Sequence, residues 1–392
     1  MERIIMHIDV NNAFLSWSAI DLLQKGEKVD IRDIYAVVGG REDQRKGIVL
    51  SKSNLCKKIG IKTADTLYSA RKKCKNLRVV PPNYKFYSMM SNMMFDFLRT
   101  FTPDIEEASI DECYLDYGKV KMLYGDQYQF ALMIQKEIFN KFGFTVNIGI
   151  ANNKLCAKMA SDFSKPNKIH TLYDEEVPIK MYPLPIGDLF GIGAKTKEKL
   201  NELGIKTIKD LAFYDLKTLK KYFKNMAIVM QNSARGINND PVISDNIVKG
   251  ISNEITLSAD TSNRDVILKS IYKVCQMVVT RLKKDKRYAY TVAVIIKDNN
   301  FKRVSHQKKL KNPSNNFNEI YDVSKEIFEE MDINRKVRLV GVRLDNLVED
   351  RYVQTSLFSD DNVILEDEKI DDVIDDINTK FGYKVIDKGN KF

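Results

Sequence analysis

The sequence predicts an α+β protein of several domains. Its 392 residues exceed what one hydrophobic core usually serves. Apolar runs of strand length alternate with segments of helical period. One stretch, Ala108-Ser109-Ile110-Asp111-Glu112-Cys113-Tyr114-Leu115-Asp116, sets two adjacent carboxylates in an apolar and aromatic frame that no solvated loop would use.

Residues 4–8 read as a buried strand, and 11–23 as a helix with Phe14, Trp17, Ile20 and Leu23 near helical spacing. Strands are predicted over 34–38 and 47–51. A short basic helix over 54–59 closes on Gly60, where a left-handed cap is expected, and a second covers 66–74. Residues 21–77 thus read as a small basic subdomain inserted in a larger one. Val79-Val80 is a strand stopped by Pro81-Pro82, and a long helix over 84–101 ends ahead of Pro103. The acid-bearing hairpin spans 106–117, followed by a helix over 127–142 closed by Gly143, a strand over 144–151 and a helix over 153–164 ended by Pro166. Strands 4–8, 79–80, 108–116 and 144–151, with three helices, are expected to form one compact core holding the acids.

From Leu184 to about Gly236 the chain is all helical, and Asn238-Asn239-Asp240-Pro241 marks a linker over 238–243. Beyond it, strands over 251–257, 290–296, 301–308 and 337–347, with helices over 266–282 and 317–331, read as a small βαβββαβ-like domain. A tail runs from 350 to 392, in which Ile370, Val373, Ile374 and Ile377 fall at helical spacing.

No apolar run approaches the ~18–20 residues of a membrane span. The N-terminus, with Arg3, His7 and Asp9, reads as neither signal peptide nor anchor. Five scattered cysteines and three scattered histidines argue against a zinc site and a disulfide framework, and for a reduced, cytoplasmic protein. The net charge is +10; because ten acids face five lysines from Ser359 onward, the first 358 residues carry +15. Such an excess suggests a polyanionic partner, though a solvated lysine-rich surface would look the same.

Adjacent residues on a strand point to opposite faces, so Asp111 and Glu112 can share a site only at a turn or a strand end. There they need a cation to offset their repulsion. Asp9 ends the first apolar run in the same kind of frame. Asp9, Asp111 and Glu112 would make an all-oxygen site suited to a hard cation, most simply Mg²⁺, and to phosphate chemistry. Taken singly, the same acids could cap a helix and a hairpin.

Phe190-Gly191-Ile192-Gly193-Ala194-Lys195 resembles a helix-hairpin-helix, whose exposed N–H groups bind a DNA phosphate. A turn touching nothing is the alternative. Lys165, ahead of Pro166, either reaches the acid site to hold a triphosphate or favours a helix dipole. Basic runs around Arg281–Arg287 and Lys302–Lys311 suit a nucleic-acid backbone or a solvated face equally. Gln354-Thr355-Ser356-Leu357-Phe358 sets two large apolar residues in a polar segment, which favours a docking peptide for a partner.

Together these pieces resemble the Y-family of translesion DNA polymerases, in its DNA polymerase IV-like, Gram-positive branch. The resemblance spans about residues 1–358 and rests on Ser109-Ile110-Asp111-Glu112 with Ile8-Asp9, on 157–167, on the Gly191-Ile192-Gly193 hairpin and on Gly341-Val342-Arg343. It implies a right-hand polymerase. The ferredoxin-like palm would be 1–18 and 78–165, the small fingers 19–77, the helical thumb 166–237 and the DNA-binding little finger 244–349. It implies that Asp9 and Asp111 bridge two Mg²⁺ ions with help from the Val10 carbonyl, and that Glu112 completes the site near the primer 3′-OH. The reaction implied is addition of a dNTP to a primer on template DNA, at low fidelity and past damaged bases.

Phe14, five residues after Asp9, matches the family's steric gate against a 2′-OH, with small Ala13 beside the sugar. Lys165 matches its triphosphate-binding lysine, and Ser51 is a further phosphate contact. A Tyr and an Arg, three apart, hold the triphosphate in many relatives; here Asn54 and Lys57 stand in their places, so charge survives at Lys57 without the bidentate grip. Gly191, Gly193 and Lys195 would contact DNA. Gln354, Leu357 and Phe358 match the sliding-clamp peptide, and the protein is expected to be a monomer. Two rivals are an accessory DNA- and clamp-binding protein, which would not need the acid triad, and a metal-dependent nuclease, which would not need a gate or a clamp peptide.

Overall fold

The structure, a computed structural model, describes residues 3–40, 47–244 and 248–349. The chain divides after Asn246 into two compact units.

The first unit is built on a five-stranded sheet in the order Ile105–Glu107, Glu112–Asp116, Ile5–Val10, Val146–Ala151, Ile169–Thr171. All pairs are antiparallel except the last, which is parallel. Strand Ile5–Val10 lies in the middle and is buried along its whole length. Its alternate residues serve two different cores. Met6, Ile8 and Val10 face helices Tyr84–Arg99 and Gln127–Phe142 through Tyr87, Met90, Met94, Ile134 and Ile138. Ile5 faces a second core with Cys156, Ala157 and Met159 of helix Lys154–Asp162. That core continues through Met181, Leu200, Leu211 and Met230 into the short helices Ala194–Glu202, Ile208–Phe213, Leu216–Phe223 and Met226–Ala234.

The expectation that residues 79–80 join the acid-bearing sheet fails. Strand Arg78–Val80 pairs in parallel with Ala36–Gly39, which pairs antiparallel with Val49–Lys52 in a separate three-stranded sheet. The reason is side-chain packing: Val80 belongs with Leu15, Ala19, Ile31, Ala36 and Val38 in a core of its own. The helices Asn54–Lys58 and Leu67–Lys73 close this sheet, capped by Ser53 and Thr66. Strand Ile169–Thr171 is an addition that its three polar-flanked residues do not announce.

In the second unit the order is Gly250–Thr261, Arg264–Lys284, Tyr288–Asp298, Arg303–Ser314, Phe317–Glu330, Val337–Val348, a βαββαβ chain: the four strands and two helices read from the sequence are all present, and the label βαβββαβ counts one strand too many. Its strands are long and antiparallel, with Arg303–Ser314 and Gly250–Thr261 at the edges of the sheet. Ile271, Val274, Val278 and Phe328 of the two helices pack on Val292, Val294, Val340 and Val342 of the central strands.

Candidate active site

The face of the sheet turned toward helix Lys154–Asp162 carries the acids. Strand register sets Asp9 opposite Glu112 and His7 opposite Tyr114 on one side, and Asp9 opposite Asn147 and His7 opposite Gly149 on the other. The helix starts at Asn153, whose side chain accepts the Cys156 N–H. It comes very near the sheet because residue 149 is glycine: a Cβ there would meet the Ala157 carbonyl oxygen at 2.0 Å and the Ser161 nitrogen at 2.5 Å. Residues 155–161 are all buried, so Lys158 has no solvated side of the helix to occupy.

Lys158 is 8% exposed, and its ammonium lies 2.5 Å from Glu112 Oε1, 3.3 Å from Asp9 Oδ2 and 3.4 Å from Asp162 Oδ2. Lys165 adds a second ammonium, 2.9 Å from Asp9 Oδ1 and 2.9 Å from Asp162 Oδ1. Burial, and then the hydrogen bond shared with Asp9, pushes the Glu112 carboxyl up to about 7. Burial alone would raise Asp9, but its bond with Glu112 and the charges of Lys165 and Lys158 outweigh that and hold it below the usual aspartate range. Burial works against the Lys158 charge, yet the Glu112 hydrogen bond and the Asp9 and Glu112 charges raise it above an ordinary lysine.

His7 lies fully buried below this cluster, its ring 4.8 Å from that of Tyr114. Burial first, then Lys158, lowers its imidazole to about 3, so the ring is neutral. Ser161 Oγ spends its hydrogen on the Lys158 carbonyl at 2.8 Å, so His7 Nδ1 is the donor in its 2.8 Å bond to that oxygen. His7 Nε2, 3.9 Å from Glu112 Oε2, is left without a hydrogen-bond partner.

Asp111 lies in the bend ahead of strand Glu112–Asp116. Its carbonyl accepts the Val10 N–H at 3.0 Å, which ties it to the same strand end as Asp9. Its side chain takes a hydrogen bond from Ser109 Oγ at 2.7 Å. Among the described residues no three of His, Cys, Asp and Glu stand as a ready metal cage. The donor set nevertheless fits a hard divalent cation: two carboxyls crowd closely enough to share a hydrogen bond, and the charges balancing them are two lysine ammoniums.

Phe14 is half-buried in helix Ala13–Gln24, which begins after Asn12 in the left-handed conformation at φ 48°. Ala13 is buried. Ser51 Oγ donates to the Asn12 carbonyl at 3.4 Å, and Asn12 Nδ2 to Asn54 Oδ1 at the same distance, so Asn54 stands beside the start of the Phe14 helix. Lys57 is exposed in the last turn of its short helix. Gly191 takes φ +89°, which favours glycine, and Gly193 opens helix Ala194–Glu202 with no side-chain cap. Lys195 is exposed beside it. Gln354, Leu357 and Phe358 lie outside the described residues.

The sequence names the acids and Lys165, but not the central place of Lys158. Its helix is buried on every side, so periodicity carries no signal there.

Comparison with known proteins gives three family matches: the impB/mucB/samB family over residues 8–162, its C-terminal domain over 248–357 and the IMS family HHH motif over 174–205. The chain is 44% identical over 388 residues to a DNA polymerase IV of Clostridium acetobutylicum, covering 98% of this chain and 97% of that one. It is 35% identical over 393 residues to DNA polymerase IV 1 of Bacillus subtilis, covering 99% and 92%. Among solved structures, a Y-family DNA polymerase chimera of Dbh carrying residues 243–245 of Dpo4 is similar with TM-score 0.79 at 26% identity, over 88% of this chain and 100% of that one. An insertion ternary complex of Dbh DNA polymerase is similar with TM-score 0.63 at 27% identity, over the same shares. The chain belongs to the impB/mucB/samB family, in the DNA polymerase IV group of the Y-family polymerases.

Proposed function

We propose that this chain is a template-directed translesion DNA polymerase that adds dNTPs to a primer 3′-OH at the Asp9–Glu112 strand pair. The observation that carries the reading is that register, at the end of the central strand, with Lys158 on both carboxyls and Lys165 on Asp9. The primer oxygen forms a bond to the α-phosphorus of the dNTP while the bond to pyrophosphate breaks. Lys165 holds the triphosphate by charge, and Ser51 and Lys57 add contacts from the neighbouring sheet and helix. Phe14 lies under the sugar, with Ala13 leaving room for it. Glu112 faces the primer hydroxyl, and Asp9, Asp111 and the Val10 carbonyl form the remaining oxygen set.

Y-family polymerases generally use divalent metal ions. Two Mg²⁺ ions held by Asp9, Val10, Asp111 and Glu112 would lower the pKa of the hydroxyl and neutralise the leaving oxygens. Gly191 and Gly193 support a DNA-phosphate contact: the uncapped start of helix Ala194–Glu202 presents N–H groups, with Lys195 adjacent. Residues 354–358 supply a peptide for a sliding clamp, which raises local concentration on the template without new contacts. Five free cysteines, four of them buried, favour a reducing, cytoplasmic setting for a monomer. Primer extension on undamaged and abasic templates, wild type beside Asp111→Ala, tests the reading. Extension and bypass by wild type alone is expected; equal extension by the variant would remove Asp111 from the site, and none by wild type would leave a DNA-binding accessory protein.

A further inference from the structure

Two lysines in this site have three carboxylates to choose from. Lys158 reaches Asp9, Glu112 and Asp162; Lys165 reaches Asp9 and Asp162. Asp162 differs from the other two acids. It closes helix Lys154–Asp162, its side chain is 48% exposed, and it stands four residues after Lys158 and three before Lys165. The backbone around it is pinned, because the Lys158 carbonyl accepts from Ser161 Oγ and that oxygen accepts from His7. An ammonium passing from Asp9 or Glu112 to Asp162 therefore turns toward an oxygen it already stands within 3.4 Å of.

We propose that Asp162 is a positioning residue that draws the Lys158 and Lys165 ammonium groups off Asp9 and Glu112 when a divalent cation takes those carboxylates. The proposal rests on the reading of Asp9 and Glu112 as cation ligands. Both lysines stay charged throughout. Lys158 holds the two acids in register against their own repulsion and competes with the cation for their oxygens. Asp162 stabilises the cation-bound arrangement by offering each displaced lysine a partner it already touches. Lys165, freed from Asp9 Oδ1, is then turned outward beside the cation, where a triphosphate would meet it.

The test is Mn²⁺ binding by the full chain, without DNA or nucleotide, followed by the electron paramagnetic resonance signal of free Mn²⁺. Asp162→Asn should weaken binding about fivefold, because the lysines keep their hold on Asp9 and Glu112, and Lys158→Met should tighten it by about as much. A merely structural role would move both variants the same way. An unchanged or tighter Asp162→Asn overturns the proposal, and it decides alone should Lys158→Met fail to fold. Asp9→Asn separates the two readings. If wild type binds no Mn²⁺, or Asp9→Asn binds it equally well, the ligand assignment itself fails. If Asp9→Asn removes binding but Asp162→Asn leaves it untouched, only the exchange fails.

Discussion

The ring of Phe14 lies face to face on that of Tyr87, with centroids 4.8 Å apart and planes 11° from parallel. Tyr87 is itself fixed, since its hydroxyl meets Ser18 Oγ at 2.5 Å and its ring takes the edge of Tyr84. A half-buried ring so held is expected to resist displacement by a bulkier sugar. Phe14→Ala is expected to reduce discrimination between dNTP and rNTP by at least about tenfold, roughly 1.4 kcal/mol, and to cost about 1 kcal/mol of stability from the lost aromatic contact. Single-nucleotide insertion kinetics with both substrates measure it. Unchanged selectivity would leave Phe14 as a core residue only.

The clamp assignment rests on sequence alone, because residues 354–358 lie outside the described region. Leu357→Ala with Phe358→Ala is expected to weaken clamp binding on the order of a hundredfold, as for paired apolar anchors. Distributive synthesis should persist. Surface-plasmon measurements against the clamp, beside extension without it, check both halves, and retained affinity would place the docking site elsewhere.

Basic side chains are spread over both units, and several are already committed: Lys308 pairs with Glu326 and Glu330, and Arg303 with Glu254. The excess of charge before Ser359 still predicts counterion release on binding DNA. Affinity for primer-template should fall roughly tenfold or more between about 50 and 200 mM salt. Fluorescence anisotropy across a salt series reads the slope, and a flat response would mean that the basic runs only solvate the surface.

Asp210 offers a pH test in the helical region. Its carboxylate accepts the Thr207 and Lys206 N–H groups while Thr207 Oγ1 accepts the Asp210 N–H, a capping box on helix Ile208–Phe213. The Thr207 backbone bond, against a small burial effect, holds the carboxyl below its ordinary value of 3.8. A depressed folded pKa means that the stabilisation is fully present above 3.8 and is lost as pH falls through the lower folded value. Asp210→Asn should therefore cost at most about 1 kcal/mol at neutral pH and less at an acid pH below 3.8. Urea melts of both proteins at the two pH values decide it; an equal cost at both would make the cap independent of charge.

The element list was largely legible. The central strand appears as an apolar run, the helix ends are marked by Asn153, Gly143 and Ser53, and Ser109–Glu112 stands out because acids rarely sit in such a frame. Pairing was less legible. Val79-Val80 is equally apolar whichever sheet it joins, and its partner, Ala36–Gly39, is some forty residues away.

By itself the sequence pointed to the family and picked out Asp9, Asp111 and Glu112 as candidate ligands for an oxygen-loving cation. Those properties are local: residue type and spacing settle them. The tertiary structure alone decided that Asp9 faces Glu112 across a strand pair, that Gly149 lets a fully buried helix lie against them, and that Lys158 rather than solvent neutralises both. A charge gains its meaning from what lies within a few ångströms in a medium of low dielectric. Burial raises Glu112, while Glu112 and Asp9 raise Lys158 against its own burial, and both effects depend on distances that only the folded chain fixes.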